Sequence, residues 1–512
     1  MPTPRLARLL PALLLLLTAL ATPAQAEAID WSKIDPADYT FDDWYLDSVE
    51  GKPSGYWRST LSIEGDKLVS TYYEYSVETH GGELSTYEHR VVWTETKGFK
   101  PISVVISTAA ASDEVTKTYR FIEDGLELTS EQNGRKVHRK IPPIKGDYFT
   151  AAQAFIATEQ HLKSGVASFE YNTLDLNIGT TPFITAYTRG EDKPETLTLA
   201  DGRKTQAQQW ATTYSVFPGF EVRHWIDEEH QVVGLAYDIE TVTFVSRLGD
   251  AKVAEVEFDP PELSGLSVVV PDKSIKHIDQ QRKIIYELSY KAGDLDIVPV
   301  TTAMQSVQSL GKGKARVTVD LDAESRASKG DRPTDAHLAS SIMIDHEDEL
   351  VRDLAKKAIE QLRDGASQKQ IARACKRFVT QHISGASLSV GDGTASEAAR
   401  TKEGDCTECS VLLAALLRVH RIPSRAVVGL VYSEDDFVGQ EDVFVYHQWT
   451  QAWIKQENGG GYWLDLDSAM WRYSAGHITL GVSAMGDDDQ QDLIDIVPMQ
   501  QELKIKVIET KK

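Results

Sequence analysis

The stretch Gly404–Val419 reads GDCTECSVLLAALLRV, and it decides the fold prediction for the second half of the chain. Asp405 and Glu408 have the spacing of a capping box at the start of a helix. The residues after Cys409 are mostly apolar. The pattern therefore predicts a buried helix whose first turn contains Cys406.

Cys406 is expected to lie beside the free backbone amides and the positive end of this helix. Both features stabilise an anion, so the thiol is expected to have a lowered pKa and to act as a nucleophile. The alternative is that a lone cysteine at a helix start is structural. Cys375 lies in the apolar stripe of another predicted helix, Ser367–His382, and is predicted to be a buried structural residue.

A thiolate nucleophile needs a proton carrier, and the carrier needs an orienting group. The segment Val443–Ile454 has the composition of a strand with His447 in its middle, and Tyr462–Leu466 is a second short strand followed by Asp467. Strand alternation lets His447 face the helix start. Asp467 is then in a position to hold the second imidazole nitrogen, and Asp465 is its rival for this role.

These residues resemble the transglutaminase-like superfamily of cysteine hydrolases and acyltransferases. The matching motifs are Gly404–Glu408 (GDCTE), Ala415–Arg418 (ALLR), Ile422–Arg425 (IPSR), His447–Trp449 (HQW) and Trp463–Asp467 (WLDLD). The resemblance covers residues 338 to 477, roughly a quarter of the chain. It implies an α+β papain-like core with Cys406 as nucleophile, His447 as base and Asp467 as orienting group. The family spacing from the tryptophan favours Asp467 over Asp465.

Two positions depart from the family pattern. The glycine that ends the helix in the family is Arg421 here, and arginine tolerates the left-handed conformation poorly. The position three residues after the nucleophile is Cys409, so the two sulfurs lie one helical turn apart.

Composition excludes several classes of protein. The 512 residues carry 54 Lys plus Arg against 77 Asp plus Glu, a formal charge of −23, and three cysteines. This acidic balance argues against nucleic-acid binding, because no basic surplus is present to neutralise phosphates. Three cysteines cannot form the disulfide framework of a small secreted scaffold.

The first residues have the pattern of a signal peptide. Arg5 and Arg8 precede the apolar run Leu9–Ala21, and Ala24–Ala26 provides small residues at the cleavage spacing. The run is shorter than the roughly 20 residues that span a membrane. We therefore expect residues 1–26 to be cleaved, leaving a periplasmic or secreted protein without a transmembrane anchor.

The mature chain is predicted to contain several domains. Residues 27–260 are rich in β-branched and aromatic residues broken by turn residues, which predicts antiparallel sheets arranged as a sandwich or as an open, curved half-barrel. A second β-rich domain is expected at 261–325, a polar linker at 326–337 and the transglutaminase-like catalytic domain at 338–512. The fold class is thus multidomain, with antiparallel β-rich domains followed by an α+β core.

Three functions are compatible with these features. The leading hypothesis is an exported cysteine hydrolase or acyltransferase that acts on amide bonds of a peptide or protein, for example envelope peptides or peptidoglycan stems, without cofactor or metal. A thiol redox protein using the Cys406–Cys409 pair is a second hypothesis, since C-x-x-C at a helix start is also the oxidoreductase arrangement. The third is a non-catalytic binding or scaffold protein with the same fold.

Overall fold

A computed structural model describes residues 29–80, 83–110, 113–132, 134–239, 242–263, 268–290, 298–328, 330–385, 393–437, 439–457, 459–486, 496–500 and 502–512. They form two compact units that divide after Leu263. The predicted signal peptide lies outside the described residues. Every helix within the described ranges is too short or too polar to span a bilayer.

The first unit is built on one sheet of fifteen strands. They are β1 (Phe41–Val49), β2 (Lys52–Glu64), β3 (Lys67–His80), β4 (Glu83–Thr96), β5 (Pro101–Ala110), β6 (Asp113–Ile122), β7 (Gly125–Gln132), β8 (Arg135–Ile141), β9 (Ser168–Thr173), β10 (Phe183–Arg189), β11 (Glu195–Thr198), β12 (Lys204–Tyr214), β13 (Phe217–Asp227), β14 (Val232–Ile239) and β15 (Val242–Gly249). The order is β8-β7-β6-β5-β4-β3-β2-β1-β15-β14-β13-β12-β10-β9, with β11 on β12. The strands form a single sheet and not the two sheets of a sandwich.

One helix, α1 (Ala151–Ser164), packs on this sheet. Thr150 and Gln153 form a capping box at its start, and Gly165 ends it with a φ of 74°, a left-handed conformation that glycine adopts without strain. Ala152 and Ile156 of α1 join a core with Leu61 and Leu68 of the sheet. Apolar side chains of α1 and of the sheet therefore share a hydrophobic core in the first unit.

The second unit contains two sheets and the remaining helices. Its strands are β16 (Val268–Val269), β17 (Lys283–Ser289), β18 (Gln305–Gly311), β19 (Lys314–Asp320), β20 (Ser424–Ser433), β21 (Val443–Lys455), β22 (Gly461–Leu466), β23 (His477–Ser483) and β24 (Lys504–Lys511). Its helices are α2 (Glu349–Ile359), α3 (Gln368–His382), α4 (Ala395–Thr401), α5 (Cys406–Val419) and α6 (Val497–Gln500). One sheet has the order β16-β21-β20-β23 with β22 on β21, and the other is β18-β19-β17-β24. The predicted fold class, β-rich domains followed by an α+β core, is confirmed.

Strand pairing joins the predicted second β-rich domain to the predicted catalytic domain in one sheet. β17–β19, from the predicted second β-rich domain, share a sheet with β24 near the end of the chain. The predicted linker also makes contacts, because Asp331 accepts two hydrogen bonds from Arg425 at 2.9 and 2.8 Å. The predicted division at residues 260, 325 and 337 stays a prediction.

Candidate active site

Cys406 is the first residue of α5, as the sequence pattern predicts. The Asp405 carboxylate caps the helix by accepting from the Thr407 backbone N–H at 2.6 Å, and the Glu408 carboxylate accepts from the Asp405 N–H at 2.9 Å. Gly404 has a φ of 147°, and a Cβ at this position would lie 2.4 Å from Cβ of Glu408. The close approach requires glycine, and it fixes the turn that presents Cys406.

Helix α5 is held against the strand that carries His447. The Ser410 carbonyl accepts from the Thr450 hydroxyl at 2.9 Å, and the Gln448 amide donates to the Ser410 hydroxyl. On the same helix, the Cys409 carbonyl accepts from the Ser468 hydroxyl at 2.9 Å. These buried contacts set the position of the helix start relative to β21 and to the end of β22.

The structure brings His447 and Asp467 together. β21 and β22 pair antiparallel, with Thr450 opposite Leu466, so Asp467, the next residue, follows near Trp449, two residues from His447. The His447 Nε2–H donates to Oδ2 of Asp467 at 2.9 Å, and both side chains are fully buried. Asp467 therefore occupies the orienting position that the sequence analysis gave it.

Asp467 is surrounded by donors. Its Oδ1 accepts from the backbone N–H groups of Ala469 and Met470, each at 3.0 Å, and its Oδ2 accepts from Nε2 of His477 at 3.0 Å as well as from His447. Burial alone raises the pKa of a carboxyl, but the two histidines outweigh it here and hold the pKa of Asp467 well below its usual range. Asp467 is therefore an ionised carboxylate that only accepts hydrogen bonds.

This arrangement fixes the tautomer of His447. Because Asp467 only accepts, Nε2 of His447 carries a proton. Nδ1 of His447 has no partner within hydrogen-bond distance among the described residues. Burial lowers the pKa of His447, but the Asp467 carboxylate and the nearby Cys406 thiol raise it well above the ordinary value. Nδ1 is thus the unprotonated nitrogen that can act as a base, and the Cys406 thiol is near enough to the ring to shift its pKa.

The expected lowering of the Cys406 pKa is wrong. Burial and the charge of Asp405 raise the pKa of the thiol, although His447 and the backbone N–H of Gln448 act in the opposite direction. The sequence predicts the helix end, which lowers the thiol pKa, but not the burial that raises it. Burial of the first helical turn depends on tertiary packing.

Comparison with known families identifies this region. Residues 353–468 match the core of the transglutaminase-like superfamily. This match confirms the resemblance that the motifs around Cys406, His447 and Asp467 indicated. It covers the transglutaminase-like core alone, and no curated protein matched the chain.

The solved structures that matched this chain share little sequence with it. A candidate cysteine protease from Cytophaga hutchinsonii is 14% identical, with 45% of this chain and 86% of that chain covered and a TM-score of 0.27. A β-barrel-like protein of the DUF1849 family from Brucella abortus is 10% identical, with coverage of 44% and 97% and a TM-score of 0.28. The periplasmic domain of TgpA from Pseudomonas aeruginosa is 17% identical, with coverage of 41% and 76% and a TM-score of 0.25.

Asp465, the alternative candidate for orienting His447, has hydrogen-bond partners different from those of Asp467. Its Oδ1 accepts from Nε1 of Trp449 at 2.8 Å and from the Gln451 amide at 2.7 Å. Burial raises its pKa to about 6. Asp465 therefore holds β22 to β21, and among the described residues its hydrogen bonds go to Trp449 and Gln451 and not to His447.

The other two cysteines of the chain are buried and free. Burial raises the pKa of Cys375 to about 12, which fits the predicted structural role in α3. Burial, with the charge of Asp467, raises the pKa of Cys409 far above its usual value. Cys409 is thus a weak nucleophile next to the transglutaminase-like site.

His477 is the site residue that the sequence reasoning missed. It begins β23, and its ring stacks on Tyr473 at 4.1 Å and meets Trp449 edge-on at 5.3 Å. Its Nδ1 accepts from the Ser474 backbone N–H at 3.2 Å, which leaves Nε2–H for Asp467. None of the motifs quoted for the family includes this position, and only the pairing of β23 with β20 brings it to the site.

The histidine pair and Asp467 also make a donor set that suits a divalent metal. The ligand atoms of His447, Asp467 and His477 all lie within 4.8 Å of one another. The same atoms hydrogen bond directly to each other at 2.9 and 3.0 Å. In this structure the Asp467 carboxylate therefore accepts a hydrogen bond from Nε2 of each histidine, which keeps a proton on both Nε2 atoms.

Proposed function

We propose that this protein is an exported transglutaminase-like cysteine hydrolase or acyltransferase that acts on amide bonds of peptides or proteins. The observation that carries the proposal is the buried pair of His447 Nε2 and Asp467 Oδ2 at 2.9 Å. Nδ1 makes no hydrogen bond to the described residues, and the Cys406 thiol is near enough to the ring to raise its pKa. A base held by a carboxylate next to a thiol is the arrangement that nucleophilic catalysis requires.

In the first step, the Cys406 S–H proton moves to Nδ1 of His447 and the sulfur attacks the amide carbonyl carbon. Asp467 raises the pKa of His447, so the imidazole is a stronger base than a free one, and the same carboxylate stabilises the imidazolium that forms. This matters because the thiol pKa is raised and the thiolate does not form unaided. The Cys406 backbone N–H at the start of α5 is the proposed donor to the oxyanion.

In the second step, the imidazolium gives its proton to the amine nitrogen while the C–N bond breaks. The amine leaves, and the acyl group stays on Cys406 as a thioester. Water, deprotonated by His447, then attacks the thioester carbonyl carbon. The C–S bond breaks, the imidazolium returns its proton to the Cys406 sulfur, and a carboxylic acid leaves; a second amine attacking in the same way gives a new amide. The export signal predicted at residues 1–26 directs the proposal toward envelope peptides or peptidoglycan stems as substrates.

The test uses the mature chain, residues 27–512, under reducing conditions. We expect turnover of a fluorogenic peptide amide or a glutamine-donor peptide, and we expect hydroxylamine to trap the acyl group as a hydroxamate. Cys406→Ala and His447→Ala should abolish both signals. Cys409→Ser is the matched control and should retain them.

The alternatives give different results. Loss of turnover in Cys409→Ser would favour the thiol redox function. Absence of turnover and of hydroxamate in the unsubstituted protein, with normal folding, would favour the scaffold. An added primary amine that leaves the products unchanged would assign the enzyme to hydrolysis.

A further inference from the structure

The first unit contains a cavity of about 310 Å³ between its sheet and helix α1. Alternate residues of the strands face it, for example Phe41, Asp43 and Tyr45 of β1. Ala154 and Thr158 of α1 contribute to the opposite wall. The volume is in the range of sites for small organic molecules.

The cavity wall is rich in aromatic rings. Tyr45 stacks on Trp57 with ring centroids 3.7 Å apart, and Phe41 stacks on Phe155 at 4.1 Å. Trp93 lines the same space. Aromatic faces carry partial negative charge, so they attract cations as well as apolar groups.

Two carboxylates in this wall, Asp43 and Asp175, accept hydrogen bonds from neutral groups of the described residues. Asp43 accepts from the Gln231 amide at 2.9 Å, and Asp175 accepts from the backbone N–H and the side-chain amide of Asn177 at 2.8 Å. All of these donors are neutral. Among the described residues that line the cavity, none is a lysine or an arginine.

The charge of the wall selects the class of ligand. Burial raises the pKa of Asp43 and of Asp175 to about 6 each, so both are mostly ionised at neutral pH. A ligand carboxylate would be repelled by both groups and would meet no lysine or arginine among the lining residues. An ammonium group would pair with them, and its apolar body would contact the aromatic rings.

We propose that this cavity binds an organic cation, an amine or quaternary ammonium group attached to an apolar body. The site is independent of the function proposed for Cys406, since every residue that lines it belongs to the first unit.

The experiment compares three probes with one apolar body: phenylbutylammonium, phenylbutanol and phenylbutanoate. Binding to the mature full-length protein is measured by calorimetry at neutral pH. We expect the ammonium to bind at least about 10-fold more tightly than the alcohol and the carboxylate to bind most weakly. Equal affinities, or tightest binding of the carboxylate, would overturn the proposal, as would absence of ammonium binding.

Substitutions then locate the site. Asp43→Asn and Asp175→Asn should each weaken ammonium binding by about 10-fold and leave alcohol binding unchanged, because only the charge is removed. Asp66→Asn, an exposed turn residue outside the cavity, is the control and should change neither. Ammonium affinity that survives in a folded Asp43→Asn/Asp175→Asn double variant would contradict the assignment.

Discussion

Two buried carboxylates, one in each unit, have pKa values displaced in opposite directions. Glu95 on β4 is completely buried and accepts from the Ala152 backbone N–H at 3.1 Å, and its pKa is raised to about 7. Asp467 is equally buried, but two imidazole N–H groups and two backbone N–H groups hold its pKa well below its usual range. Burial therefore does not determine the charge of such a group; the number and charge of its donors do.

Loss of the negative charge at Asp467 is expected to reduce activity most. Asp467→Asn removes the carboxylate that keeps a proton on Nε2 of His447, so the imidazole can adopt the tautomer that cannot accept the thiol proton. We expect kcat/KM for the peptide substrate to fall by about 10³ to 10⁴-fold.

Asp465→Asn is the matched control for that variant, because Asp465 lies in the same strand region but contacts Trp449 and Gln451 instead of His447. It should change kcat/KM by far less. Similar losses in the two variants would remove the distinct role of Asp467.

The raised pKa of Glu95 is tested through the pH dependence of the free energy of unfolding. Its pKa is raised from 4.5 to about 7 on folding, so the protonated form is favoured in the folded state. The resulting stabilisation is complete below the unfolded pKa and is lost as pH rises toward about 7. Glu95→Gln keeps an acceptor for the Ala152 N–H without charge, so this loss should disappear.

Calorimetry of the full chain at acidic and at mildly alkaline pH measures this difference. At the alkaline pH the first unit of Glu95→Gln should be more stable than the unsubstituted unit by on the order of 3 kcal/mol. Glu64→Gln, at an exposed position, serves as control. Equal pH dependence of Glu95→Gln and the unsubstituted chain would show that Glu95 is not the titrating group.

Substitution of His477 removes one hydrogen-bond donor from Asp467. His477→Phe keeps a ring against Tyr473 but donates no hydrogen bond, so the pKa of Asp467 should rise. We expect kcat/KM to fall by about 10 to 100-fold and the acidic limb of its pH profile to move to higher pH. His477→Gln, which can donate, should restore part of both. A loss of rate without a shifted pH profile would indicate a packing role only.

Substitution of Arg421 is expected to have the smallest effect, a change in the free energy of unfolding of the second unit. Arg421 follows α5 with a φ of 56°, the left-handed region that costs a non-glycine residue about 1 kcal/mol or more. Arg421→Gly should raise the free energy of unfolding of the second unit by about 0.5 to 1 kcal/mol and leave the first unit unchanged. An unchanged or lower unfolding temperature of the second unit would contradict this.

Local sequence patterns predicted much of the candidate site. The capping box of Asp405 and Glu408 placed Cys406 at a helix start, because capping depends on residues three positions apart. Family spacing placed Asp467 after a strand, where it lies.

Other features of the molecule depend on contacts between distant segments. The register of β21 with β22 brings Asp467, and not Asp465, to His447. The pairing of β23 with β20 brings His477 to the Asp467 carboxylate. Neither register can be read from one strand alone, since a shift of one residue exchanges the two faces of a strand.

Short-range spacing of residues was enough to predict the type of fold in each half, the helix that begins at Cys406 and the family motifs. The direction of the pKa shifts at Cys406 and Glu95, the second histidine on Asp467 and the cavity beneath α1 depend on the tertiary structure. These depend on which distant side chains exclude water and which donors they bring to a buried charge, and no local pattern encodes that pairing.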